Sequence, residues 1–339
     1  MGLRDAKVLL AMGSIRSIII AHIEANAPHL FLQKARDGSL FRASVPWCCR
    51  FLKHEMNWTI RHATRAAQKI PDNFEELLLA SATRQAWSIR NFSIPAELRV
   101  NSNQTQLILQ GGSKIMYNTK GAKQVTTHGF EEKRALTVLA GMSASGELLP
   151  PQSIWGGKTA LSLPKATATG YAESVGLGFQ YEFTGIQGNC WSTQGTMRSY
   201  VVNILVPYFS EQKKHLSLPS NKPCIWQIDC WSVHISIEFR QWMFATYPWI
   251  ILDYVPANCT GLFQPCDVGL QRVMKQAITQ AQSEDIIKEV SLSLAKNVPA
   301  HSIKIDTSLP MLRNRSVNWI LKAFKATDNP ALVKAVRSL

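Results

Sequence analysis

Apolar positions in the first hundred residues recur at helical spacing. Val8, Leu9, Ile15, Ile18, Ile19 and His22 form one such series. Between Ser44 and Ala67, Val45, Trp47, Phe51, Leu52, Met56, Trp58 and Ile60 are interleaved with Arg50, Lys53, Arg61 and Arg65. That pattern predicts two or three short helices with a basic face. Pro71 and Asp72 then open a further helix, Asn73 to Arg90, rich in Glu and Leu.

From about Ile94 the period shortens. Short β-prone runs at Leu98–Val100, Leu107–Leu109, Ala135–Met142, Leu148–Trp155, Ile225–Ile228 and Ile250–Val255 are separated by Gly, Pro and Asn. Helical stretches lie among and after them, at Thr193–Tyr208, Ile235–Tyr247 and Val268 to about Lys296. Strands first and then alternating helix and strand predict an α/β fold, a mixed sheet flanked by helices and preceded by an all-α region.

Composition narrows the function classes. Of 339 residues, 46% are hydrophobic and 18% charged, which excludes wholesale disorder and fibrous architectures. No apolar run approaches the ~18–20 residues of a membrane helix, and the N-terminal stretch has no signal-type cleavage site. A soluble intracellular protein is the expectation. Seven cysteines with no CxxC pair fit reduced thiols. The chain carries 37 basic and 23 acidic residues, a net charge of +14, which favours a polyanionic partner, nucleic acid before membrane. The excess sits at the ends, with a nearly neutral middle. Within Lys34–Lys69 there are 8 basic and 2 acidic residues, which fits a helix-turn-helix-type DNA-binding region.

In that neutral middle, two acids stand where a carboxylate is expensive. Asp229 follows the buried-looking strand Cys224-Ile225-Trp226-Gln227-Ile228, and Asp267 precedes a helix. Carboxylates at the ends of buried elements are partly desolvated and call for a cation, a divalent metal being the obvious one. Helix capping by Asp267 and a strand-end turn at Asp229 account for the same spacing without a metal.

These residues resemble a known family. "WQIDCWSVH" around Asp229 and "CTGLFQPCDVGLQR" around Asp267 are similar to the second and third acid motifs of the pogo-like branch of mariner-superfamily DDE transposases, which includes Tigger, Jerky and centromere protein B relatives. "IPAELRVNSNQTQLIL" matches the first motif, and "GSKIMYNTKGAKQVT" and "EEKRALTVLAGMSASGELLPPQSIWGGKT" match the strands after it. "FRASVPWCCRFLKHEMNWTIRHATRAAQKIP" resembles the second half of a centromere-protein-B-type helix-turn-helix. The motifs occur in order over roughly residues 40–290, with 37 residues between the last two acids.

The resemblance implies an RNase H-like sheet, a DNA partner, nuclear residence, a homodimer, and Mg²⁺ or Mn²⁺ as cofactor if the site is active, held by Asp229 and Asp267. It implies three regions: helical 1–90 with an incomplete helix-turn-helix, the DDE domain 91–290, and a basic helical tail 291–339. His234 matches a histidine of the second motif and takes an auxiliary role. Arg50, Lys53, Arg61, Arg65, Lys69, Lys114, Lys120 and Lys123 are the candidate DNA contacts. The departure is at the first acid, whose position holds Asn103. The family's first Asp bridges two ions that stabilise the attacking and leaving oxygens of a phosphodiester. Asparagine keeps one acceptor oxygen and loses the charge, a loss expected to cost at least ~3 kcal/mol of activation energy. The expectation is a DNA-binding protein that cleaves poorly or not at all. Asp253, mid-strand in Ile250–Val255, is a minor candidate to substitute. Two further readings are a working endonuclease that tolerates Asn103, and a non-enzymatic interaction module.

Overall fold

The computed structural model describes residues 12–34, 37–58, 70–109, 134–186, 188–299, 302 and 304–328. Contacts divide the chain into two units, Met1–Lys69 and Ile70–Leu339. In the first unit, α1 (Met12–Asn26) is followed by a 3-10 turn, Pro28–Leu32, and by α2 (Val45–His54). The Ser44 hydroxyl caps α2 by accepting from Trp47 N, and Pro46 falls in the first turn, where its missing N–H costs nothing. Arg16 Nε donates to the Ala43 carbonyl at 3.0 Å. Phe31 stacks on Phe41, Phe41 meets Trp47 edge to face, and Trp47 stacks on Phe51, while Cys48 and Leu52 of α2 are buried.

The second unit opens with α3 (Phe74–Phe92), which ends where Ser93 turns left-handed at φ 45°. Its sheet has six strands: β1 (Arg99–Ile108), β2 (Ala135–Ser143), β3 (Leu148–Trp155), β4 (Gln180–Phe183), β5 (Cys224–Ile228) and β6 (Ile250–Tyr254). Their order is β4-β3-β2-β1-β5-β6. β1, β2 and β3 form an antiparallel meander, while β5 runs parallel to β1 and β6 parallel to β5. This is the RNase H-like arrangement, with β4 added parallel to β3 at the far edge.

Helices cover both faces. On one, α4 (Tyr171–Gly176), α9 (Gln271–Ala295) and α10 (Leu309–Thr327) accompany a core built from Val138, Trp155, Met274, Trp319 and Ile320. On the other, α5 (Gln194–Tyr200), α6 (Val206–His215) and α7 (Ile237–Thr246) accompany a core around Tyr200, Phe209, Trp226 and Phe239. A short α8 (Thr260–Phe263) precedes α9. α5 starts on a reciprocal cap between Thr193 and Thr196. It runs into α6 through a π-helical turn, Val201–Leu205. Pro207, which lacks an N–H, stands just beyond and interrupts the i→i−4 ladder. Behind the sheet, Tyr200 OH and Ser102 Oγ are 2.9 Å apart, and Trp226 Nε1 donates to the same Oγ at 3.1 Å. A Cβ at Gly141 would lie 2.7 Å from that tyrosine oxygen, so glycine keeps this network open.

Three features differ from the sequence expectation. Leu98–Val100 and Leu107–Leu109 are not separate runs, because one strand, β1, spans them through the polar stretch Asn101–Gln106. Buried polar side chains there are paired across the sheet: Asn101 Nδ2 donates to Gln227 Oε1 at 3.1 Å, and its Oδ1 accepts from Cys266 N at 3.0 Å. β4 was not expected; it is four half-buried residues long. The boundaries drawn at 90 and 290 also differ from the division at Lys69. Helix α3 belongs to the sheet unit, and α10 buries Leu312, Trp319, Ile320 and Leu321 in its core. Arg315–Glu289 at 2.6 Å and Trp319 Nε1–Asp285 Oδ2 at 2.6 Å tie α10 to α9. Among the described residues, no helix is long and apolar enough to cross a membrane, and all seven cysteines are free thiols.

Candidate active site

The site is assembled by strand register. β1 and β5 are parallel, with Val100 opposite Trp226 and Asn101 opposite Gln227. Two residues further along, Asn103 is level with Asp229, which leaves β5 one residue past its end. Alternation keeps Asn101 and Asn103 on one face of β1. That face meets the turn carrying Asp267, since Cys266 N donates to Asn101 Oδ1 and Gln264 Nε2 donates to the Ser102 carbonyl at 3.0 Å. Asp267 sits within a second π-helical turn, Cys266–Leu270. Such widened turns recur at functional sites because they re-aim a side chain without ending the helix. Asn103 and Asp229 thus stand level on the neighbouring interior strands β1 and β5, with the turn carrying Asp267 packed against β1.

Asn103 is 6% exposed, and its Oδ1 accepts from Gln104 N at 2.7 Å. Burial pushes the Asp267 carboxyl above its usual range, and the charge of Asp229 pushes it the same way. Hydrogen bonds from Asn103 and Thr260 and the charge of Lys275 act against them. The net rise means that neutral donors leave the carboxylate under-compensated.

Asp229 is held differently. Its side chain is 27% exposed, and its Oδ1 lies 2.7 Å from His234 Nδ1, a residue only 2% exposed. Trp231 N donates to the same oxygen at 3.4 Å. His234 Nε2 lies 3.4 Å from Gln104 Nε2, and Gln104 Oε1 accepts from the Ser192 hydroxyl at 2.6 Å. As placed, the Ser192 hydroxyl donates to Gln104 Oε1, Gln104 Nε2 faces His234 Nε2, and His234 Nδ1 faces Asp229 Oδ1, so this chain of contacts orients the carboxylate. Gln104 lies in the first-acid motif without a role assigned to it there, and Ser192 carried no sequence signal, because a lone Ser belongs to no spacing pattern.

Asp253 takes no part. It is 4% exposed and bonded to Arg84 Nε at 3.0 Å, Arg84 Nη2 at 2.9 Å and Gln85 Nε2 at 2.6 Å. Its charge is already matched, so it cannot replace the missing acid. Of the expected DNA contacts, Arg50 and Lys53 are exposed one turn apart on α2. Arg61, Arg65, Lys69, Lys114, Lys120 and Lys123 lie outside the described residues.

A divalent cation here would be offered the second oxygen of Asp229 and the Asp267 carboxylate. A bridged pair of ions would meet a neutral amide at position 103, whose oxygen already accepts from Gln104 N. Among the described residues no group of three or more His, Cys, Asp or Glu side chains is placed to hold a metal ion.

Neither a protein-family model nor a curated protein matches the chain. Among solved structures it is similar to complexes of the Mos1 mariner transposase. For the paired-end complex with Mn, identity is 10% and the TM-score 0.45, covering 95% of this chain and 78% of that one. For the paired-end complex with the left transposon end, identity is 10% and the TM-score 0.44, covering 93% and 79%. Likeness of this degree assigns no role to any residue.

Proposed function

We propose that this chain is a transposase-derived DNA-binding protein of the pogo-like branch, whose RNase H-like domain keeps two of three catalytic acids and no longer performs two-metal phosphodiester chemistry. The observation that carries the reading is the Asn103 amide, a neutral side chain buried two residues beyond the Asn101–Gln227 pairing and so level with Asp229, where the resemblance places a third carboxylate. A divalent cation at Asp229 and Asp267 would supply Lewis-acid polarisation of a phosphate oxygen. The chain's own contribution is to hold Asp229 oriented through His234, Gln104 and Ser192.

DNA binding is supported by the +14 charge concentrated toward the chain ends and by the exposed Arg50 and Lys53 of α2. Nuclear residence and a homodimer on paired DNA sites belong to the same reading. The test is binding of the full chain to duplex DNA at about 50 and 200 mM salt. A protein making several phosphate contacts loses about 10³-fold or more in affinity over that range. Replacing Arg50 and Lys53 together by Ala is expected to reduce the slope of log affinity against log salt by about 2. Affinity that is weak and independent of salt contradicts the proposal and favours an interaction module.

A further inference from the structure

A partly enclosed cavity of about 320 Å³ lies in the sheet unit, and Asn103, Asp229, His234 and Asp267 do not line it. Its walls are mainly apolar: Ile89 of α3, Met142 of β2, Ile225 of β5, and Leu262 and Phe263 of α8. Polar groups enter at few points, chiefly Gln85 of α3, Asn101 of β1 and Gln227 of β5. Size and lining are those of a small-molecule site, which holds about 300–1,000 Å³ and sets a few fixed polar groups in an apolar wall.

The amides are fixed in one direction. Asp253, ion-paired with Arg84, only accepts. The Nε2 atoms of Gln85 and Gln227, at 2.6 and 3.4 Å from Asp253 Oδ2, are therefore its donors. Gln227 Oε1 is then an acceptor, and Asn101 Nδ2 donates to it at 3.1 Å. Asn101 Oδ1 in turn accepts from Cys266 N. Ser143, also on the wall, accepts from the backbone N–H groups of Gly146 and Glu147. What this pattern leaves is Gln85 Oε1, an acceptor without a donor among the described residues. Arg99 lines the cavity as well, but it already has a partner of its own, so the uncharged groups set what the cavity takes.

We propose that this cavity binds an uncharged, mainly apolar small molecule that places one N–H donor on Gln85 Oε1. The apolar body covers Ile89, Ile225 and Leu262, and the donor pairs the one open acceptor. A charged ligand would lose its hydration against these walls. The site is independent of the DNA-binding reading, and failure of either leaves the other standing.

The probes are 3-methylindole and 1-methylindole, isomers of equal size of which only the first keeps an N–H. Each is titrated into the full chain carrying isotope-labelled Ile, Leu and Val methyl groups. 3-Methylindole is expected to shift the methyl signals of Ile89, Ile225 and Leu262 saturably. 1-Methylindole is expected to bind about tenfold more weakly, because it leaves Gln85 Oε1 unpaired. Gln85→Leu is expected to bind the two isomers equally. Ala144 also lines the cavity, and Ala144→Phe, which puts a ring into it, is expected to bind neither. Thermal melting checks that each variant is folded, and the wild-type comparison of the isomers decides if one is not. The proposal is overturned by the absence of saturable shifts up to the solubility of 3-methylindole, or by shifts scattered over remote methyls such as those of Ile237 and Ile287. Equal affinity of the wild type for both isomers, or undiminished binding by Ala144→Phe, overturns it as well.

Discussion

The sheet unit holds two sets of desolvated carboxylates, and they are treated in opposite ways. Asp253 on β6 is met by the Arg84 guanidinium, with Gln85 and Gln227 completing its shell. Its charge is cancelled by an opposite charge within hydrogen-bonding distance. Asp229 lies against the His234 imidazole, and the Asp267 carboxyl is pushed up by burial, with Asn103, Lys275 and Thr260 acting against the rise. A carboxylate neutralised by a fixed guanidinium is a structural element. The proposed reading takes Asp229 and Asp267 as carboxylates left for a cation, with the amide at position 103 lowering that demand, and Asp253 as an acid that serves the fold.

Changing the amide is expected to have the largest effect. Asn103→Asp puts a negative charge at a buried position beside Asp267, so in the absence of divalent ions it should destabilise the protein by about 3 kcal/mol. Mn²⁺ or Mg²⁺ at about 100 times its dissociation constant should return about 2.7 kcal/mol. Thermal melting with and without metal reads both, and the wild-type midpoint should move far less on adding the ion. A variant insensitive to metal would mean that the three positions do not converge.

Breaking the other set comes next. Arg84→Met leaves Asp253 buried beside Gln85 and Gln227 and should cost about 2 kcal/mol in denaturant unfolding. That is less than a fully buried pair would lose, because the Arg84 side chain is 54% exposed. It should leave metal sensitivity untouched; a change in metal response would link the two sets and erase the distinction.

The smallest effect has the opposite sign. The folded-state pKa of Asp267 is raised, so its protonated form is the one the native state favours. Its contribution is present at low pH and lost as pH rises through that raised value, and at neutral pH the carboxylate opposes folding. Asp267→Asn should therefore raise the melting midpoint at neutral pH by roughly 2–4 °C. The gain should vanish toward low pH, where Asp267 is protonated. A gain independent of pH would assign the effect to packing.

Much of the architecture was legible in the hydrophobic pattern. β2, β3, β5 and β6 are apolar runs bounded by turn residues, and α3 announces itself with Pro71-Asp72. The middle of β1 was not legible, because Asn101, Ser102 and Gln104 are polar and gain their place from partners on β5, α5 and the Cys266–Leu270 turn, more than ninety residues away. The four residues of β4 are too few to show a period. In the site, Asp229 and Asp267 stood out as rare acids at the ends of apolar elements, and Asn103 was legible only against the family motif. The Arg84–Asp253 pair spans 169 positions, and no local signal marks such a partner. Gln104 stood in the same motif, but its link to Ser192 and His234 emerges only once the chain is folded.

The claim that the Asn103 amide abolishes two-metal chemistry is tested most directly by strand nicking. Terminal-repeat DNA is incubated with Mg²⁺ or Mn²⁺ and either the wild-type chain or Asn103→Asp. The account predicts binding without nicking by the wild type and metal-dependent nicking by the variant. Robust nicking by the wild type, or binding without any nicking by the variant, would contradict it.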